Sequence, residues 1–96
     1  MKHLSIEVVE VRGRCVAGYN VGDEFEINQN VCVYGDKICY FAVSSLMPAI
    51  LALQLGNNPK DIGLSKENNM AFMQCSDPGE PLTPGGTVVF KISYKF

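Results

Sequence analysis

The residues best equipped for chemistry in this chain are its four cysteines, Cys15, Cys32, Cys39 and Cys75. A thiolate is both a nucleophile and a soft-metal ligand, so their surroundings and spacing matter. Cys39 comes first. It follows Asp36 and Lys37 at the start of the longest uncharged run, Ile38 to Leu55. With Asp36 as the N-cap of a helix, Cys39 becomes the third helical residue. Free N–H groups and the helix dipole there stabilise a thiolate. Cys75 ends a strand-like segment just before Asp77-Pro78, from where a side chain can reach the N-terminal end of a neighbouring helix. Cys15 lies in a loop after Arg12 and Arg14. If the sheet carries these loops to the start of the helix, Cys15, Cys39 and Cys75 form one thiol site. Such a site would bind zinc or an iron–sulfur cluster, or act as redox thiols. A fourth metal ligand would come from Cys32, water or a second subunit.

Two observations weigh against this. The cysteine spacings contain no C-x-x-C pair, so the metal signal is weak. Cys39 also continues an apolar helical stripe, and a buried cysteine is most often a small hydrophobe. Three core or loop thiols with no common site are the simpler arrangement.

Other reaction types find little support. His3 is the single histidine, on the expected outward, solvated face of a strand, and any Cys–His or Ser–His–Asp arrangement would depend on it. Asp23, Glu24 and Glu26 form an acidic turn that turn geometry explains. Gly85-Gly86 is a turn signal and not a phosphate-cradling loop.

The elements that must position the thiols are legible in the hydrophobic pattern. In the run from Ile38 to Leu55, Cys39, Val43, Leu46, Ile50 and Leu53 recur at helical spacing and mark a core face. Ala42, Ser45, Ala49 and Ala52 form a second stripe of small side chains that admits another backbone. Phe41, Met47, Leu51 and Leu55 fill most of the rest, leaving Tyr40, Ser44 and Gln54 for water. A helix apolar nearly all round is expected to be buried on more than one side. Pro48 removes one N–H and predicts a kink near Ser44–Pro48, or two pieces with the second starting at Met47. Gly56, followed by Asn57-Asn58-Pro59, ends the helix. The run is short for a membrane span and carries Ser44, Ser45, Pro48 and Gln54.

Strands surround it. Leu4, Ile6 and Val8 alternate with Ser5 and Glu7; Val9 and Val11 then break the alternation, as a bulge would. Val21-Gly22-Asp23 is a tight turn, Phe25 and Ile27 point inward from a second strand, and Val31 to Tyr34 is a third. Residues 59–69 are polar and read either as one short helical turn around Lys60–Ile62 or as loop. Met70 to Cys75 is a strand with Ala71, Met73 and Cys75 on one face and Met70, Phe72 and Gln74 on the other; either face fits the core, and Phe72 inward is the favoured phase. Ser76 to Gly86, rich in proline and glycine, is a rigid irregular loop. Thr87 to Phe96 alternates cleanly, with Val88, Phe90, Ile92, Tyr94 and Phe96 on one side, and is expected to pair with the first strand. The fold class is α+β: an antiparallel sheet of four to five strands with one main apolar helix, about 37–55, on one face.

The 96 residues make a single domain, 47% hydrophobic and only 19% charged. Around a helix with no polar face, that low charge predicts a homo-oligomer, a two-fold dimer in the simplest case. A net charge of −2 with no basic block excludes nucleic acid as an expected partner. No membrane association is expected. Met1-Lys2-His3 runs straight into a strand with no signal peptide, which predicts a cytoplasmic chain whose cysteines are reduced.

Three separated pieces together carry a resemblance: Tyr19 to Glu26; Ile38-Cys39 with Pro48 and Leu53 to Gly56; and Cys75-Ser76-Asp77-Pro78 before Val88 to Ile92. In order and spacing the chain resembles a family of small uncharacterised bacterial and archaeal proteins, common in anaerobes and sometimes occurring as repeats. The resemblance covers nearly the whole chain. It implies no established activity, and its pattern includes cysteines at the positions of Cys15, Cys39 and Cys75 but not Cys32. The loop from Gly79 to Gly86 is longer here than in the family.

Three functional readings follow. One is a small binding module in which Cys39 and Cys75, with Cys15, bind a metal or serve as redox thiols. A second is a structural or interaction module that homodimerises through its helix, with inert core cysteines. The third and weakest is an enzyme using Cys39 as nucleophile. No small-molecule ligand is named by the sequence.

Overall fold

In the computed structural model, which describes residues 1–95, five strands form one sheet in the order β3-β2-β1-β5-β4. They are β1 (Leu4–Gly13), β2 (Glu24–Ile27), β3 (Val33–Tyr34), β4 (Met70–Gln74) and β5 (Gly85–Tyr94), with α1 (Tyr40–Gln54) between β3 and β4. Every pairing is antiparallel. This is the expected α+β layer, one helix on one face of a sheet.

The two chain ends are locked together, as the alternation of the last strand requires. β1 and β5 pair from Leu4↔Tyr94 to Gly13↔Gly85. The register slips between Val8 and Glu10, so the break in alternation at Val9 is a bulge. Leu4, Ile6, Val8, Phe25, Ile27, Val88, Phe90 and Ile92 all face the helix and are buried. Phe96, which the alternation places on that same face, lies outside the described residues.

The phase of β4 is opposite to the expected one. Ala71 is fully buried and Met73 partly so, whereas Phe72 is 42% exposed. α1 passes over β4, and the residues turned toward it and the core are Ala71 and, in part, Met73. Phe72 instead sits on the open face, its N–H bonded to the Leu64 carbonyl. His3, expected to be solvated, is half-buried on the same open face. Its Nε2 lies 3.0 Å from Glu26 Oε1 and 3.0 Å from the Tyr34 hydroxyl. Lys95 also reaches Glu26, and these contacts hold the Glu26 carboxyl below its ordinary range, the lysine contributing most.

Leu46, Ile50 and Leu53 of α1 are buried as expected, joined by Ala42 and Ala49 from the small stripe. Burial of each large side chain here contributes about 1.5–3 kcal/mol. Gln54 differs from expectation: it is buried at the sheet end of the helix, donating to the Lys2 and Asn28 carbonyls. A buried amide needs such partners, and it ties the end of α1 to the start of β1 and the end of β2. The helix stops as its sequence dictates. Gly56 has φ 94°, its N–H bonds the Leu53 carbonyl, and the Asn57 N–H bonds that of Ala52, the two bonds of a Schellman motif.

The helix runs through Pro48 as one piece and does not restart at Met47. Pro48 lies on the solvent side next to exposed Ser44, so water can take the carbonyl that lacks a partner. That solvent side is apolar. Tyr40, Phe41, Met47, Leu51 and Leu55 are 77%, 62%, 44%, 50% and 66% exposed. The expected burial on more than one side is therefore absent in the single chain, where the sheet covers one side only. Among the described residues no helix is long and apolar enough to cross a membrane.

Candidate functional site

One end of the sheet gathers three separate stretches of chain. The loop 14–23 leaves the end of β1, the start of α1 lies beside it, and the loop after β4 closes the other side. Two glycines make that closure possible. Gly13 and Gly85 face each other across β1 and β5 with φ of 73° and 108°. A Cβ on Gly13 would lie 2.8 Å from the Gly85 Cα, so neither position has room for a side chain. The Gly85-Gly86 turn signal of the sequence is thus the start of β5, pressed against β1.

The start of α1 is set by Tyr19. The Tyr19 hydroxyl accepts the Cys39 N–H at 2.9 Å and donates to the Lys37 carbonyl at 3.2 Å. Its ring packs edge-on against Phe90, centroids 5.7 Å apart at 88°. Burial pushes the Tyr19 hydroxyl's pKa above its ordinary value, against the opposing effect of the Cys39 N–H. Lys37 adds a second staple, donating to the Gly18 carbonyl at 2.8 Å, with Asp23 3.6 Å from its Nζ.

These bonds correct the expected cap. Asp36 is not the N-cap; α1 begins at Tyr40, and Cys39 itself is the N-cap, extended at φ −91°, ψ 122°. Cys39 is therefore not the third helical residue. Its N–H goes to Tyr19 and its carbonyl accepts the Val43 N–H, and the tyrosine holds the chain extended up to Cys39. No side chain caps the N-terminal end of the helix.

On the third side, Asp77 organises the loop after β4. Its Oδ1 accepts the Thr83 hydroxyl and, at 2.8 Å, the Gly79 N–H. Those two hydrogen bonds, the hydroxyl first, hold its carboxyl below the ordinary range. The Thr87 hydroxyl donates to the Asp77 carbonyl, and the Ser76 hydroxyl is hydrogen-bonded to that of Ser45 on α1 at 3.0 Å. The loop is thereby fastened to both β5 and the helix.

Between the three stretches lies a half-open cavity of about 580 Å³. Cys15, Cys39 and Cys75 all line it. The rest of its wall is mainly apolar, with Ile38, Phe41 and Pro78 prominent, while Arg14 supplies its one cation. Tyr40 and Phe41 stack at its edge, centroids 5.1 Å apart. The three thiols are half-buried and also touch the core, so the core and site readings of Cys39 describe two sides of one residue. Cys32 is exposed elsewhere, its N–H held by Asn28. Among the described residues, no group of three His, Cys, Asp or Glu side chains converges closely enough to hold a metal ion. The cysteines share a cavity without forming a compact donor set.

The sequence reading missed Tyr19 as the clamp, Asp77 as the loop anchor, and the Tyr40–Phe41 pair. Only Asp77 carried a local signal, since Asp-Pro-Gly with a threonine downstream is turn chemistry. A second depression of about 570 Å³ lies between residues 63–67 and β4, and no cysteine lines it.

A scan of the chain against protein-family models finds no match, and comparisons with curated proteins and with solved structures also find none.

Proposed function

We propose that this chain is a small binding module whose site is the cavity lined by Cys15, Cys39 and Cys75, with accessible thiols as its reactive groups. One observation carries the reading: three of the four cysteines, far apart in sequence, line the same cavity while the fourth lies outside it. The volume and the mainly apolar wall suit a small organic ligand. Bound zinc or an iron–sulfur cluster would require the three stretches of chain to close further around the thiols, whereas a thiol pocket needs no rearrangement. The resemblance noted in the sequence adds the same three positions and no activity. Peptide-resolved thiol labelling of the folded protein tests the proposal. Native labelling of all three, with an adduct on one slowing the other two, is the expected result. Labelling of these three only after unfolding would mean inert core thiols.

A second reading rests on the outer face of α1. Phe41, Met47, Leu51 and Leu55 form an exposed apolar stripe with no charged residue between Tyr40 and Gly56. A two-fold homodimer would cover it. Sedimentation of the wild type and of Leu51→Glu distinguishes the cases: a dimer that the charge dissociates supports this reading, and a monomeric wild type removes it.

A further inference from the structure

Resting on the pocket reading above, we propose that the cavity receives a compact, mainly apolar α,β-unsaturated carbonyl compound and bonds it through one of its three thiols. The polar groups of the wall set the chemistry. Asp77 Oδ1 is engaged by Thr83 and Gly79, and Ser76 is hydrogen-bonded to Ser45, so part of the polar lining is already paired within the protein. Arg14, the one cation on the wall, makes no ion pair among the described residues. What the cavity offers a ligand is mainly apolar surface, with three thiols and the residues Arg14, Tyr40 and Asp77 on its wall.

A conjugated carbonyl compound matches each of these. Its body takes the apolar wall of Ile38, Phe41 and Pro78, and its carbonyl oxygen is an acceptor for Arg14. Its β-carbon is a soft electrophile for sulfur. The step balances without a further reagent. The S–H bond breaks, an S–C bond forms at the β-carbon, the double bond becomes single, and the thiol proton ends on the α-carbon. Three thiols around one space give a bound molecule more than one orientation from which to react. A polar or highly charged electrophile gains nothing from the apolar wall and is not favoured over bulk reaction.

Cys32, exposed and outside the cavity, serves as an internal reference. The full chain is treated with N-ethylmaleimide and with N-phenylmaleimide, which share a reactive ring and differ in apolar bulk. Labelling at each cysteine is followed by peptide mass spectrometry. The proposal expects the pocket-to-Cys32 rate ratio to be about tenfold higher for the phenyl reagent, equivalent to about 1.4 kcal/mol of binding. It also expects pocket labelling to saturate with reagent concentration while Cys32 labelling stays linear. Phe41→Ala, a change at an exposed residue, should lower the ratio several-fold. Native pocket labelling with equal ratios for both reagents and no saturation overturns the ligand class and leaves the pocket reading standing. Pocket thiols that react only in unfolded protein overturn both.

Discussion

The Tyr19 hydroxyl sets the start of α1 at the site, and Tyr19→Phe removes it while keeping the ring against Phe90. Tyr19 is only 4% exposed, and its oxygen satisfies one N–H and one carbonyl, those of Cys39 and Lys37. Leaving a buried polar group without a partner costs about 1–3 kcal/mol. Lys37 is exposed, so water can take its carbonyl; the half-buried Cys39 N–H is the costly orphan. The expected loss is therefore about 1–2 kcal/mol, the lower part of that range. For a domain of this size it corresponds to a fall in Tm of roughly 5–15 °C. Urea denaturation with an unchanged m-value measures the loss, and labelling of Cys39 reports the local effect. A freed N-cap lets Cys39 move, so its labelling rate relative to Cys32 should change while that of Cys75 does not. A stability loss under about 0.5 kcal/mol, which is below the usual contribution of one hydrogen bond, together with an unchanged Cys39 rate, would refute the clamp.

Three further predictions bear on the frame. Leu46→Ala, at a position with no solvent exposure, should cost about 2–5 kcal/mol in urea unfolding, whereas a loss well under 1 kcal/mol would mean the helix face is wrongly assigned. Gly85→Ala should disrupt the close β1–β5 approach beside the cavity; retained stability with unaltered pocket labelling would contradict it. Because the folded-state pKa of Asp77 is depressed, its contribution is fully present above its unfolded value near 3.8 and is lost as pH falls through the lower folded value. Acid unfolding should accordingly be less steep in Asp77→Ala than in wild type, and identical slopes would remove this role.

Much of the frame was readable because it rests on local patterns. The alternation of β1 and β5, the Val9 bulge and the Gly56 stop each follow from a few neighbouring residues, and all are present. Cys15, Cys39 and Cys75 line one cavity without forming a compact donor set among the described residues. What failed was non-local. The Asp36 cap is a sound local choice, but a tyrosine hydroxyl from another loop takes the Cys39 N–H and delays the helix. Phe72 reads as a core residue, yet the register with β5 turns Ala71 and Met73 toward the core instead. Gln54 reads as a surface residue until the Lys2 and Asn28 carbonyls are placed beside it.

The shared cavity of the three thiols can be tested directly by cross-linking the folded chain with a short bis-maleimide and mapping the bridged peptides. Bridges among Cys15, Cys39 and Cys75, with Cys32 left as a single adduct, are the predicted pattern. Bridges that join Cys32 as often as the others, or bridges that form only in denaturant, would contradict it.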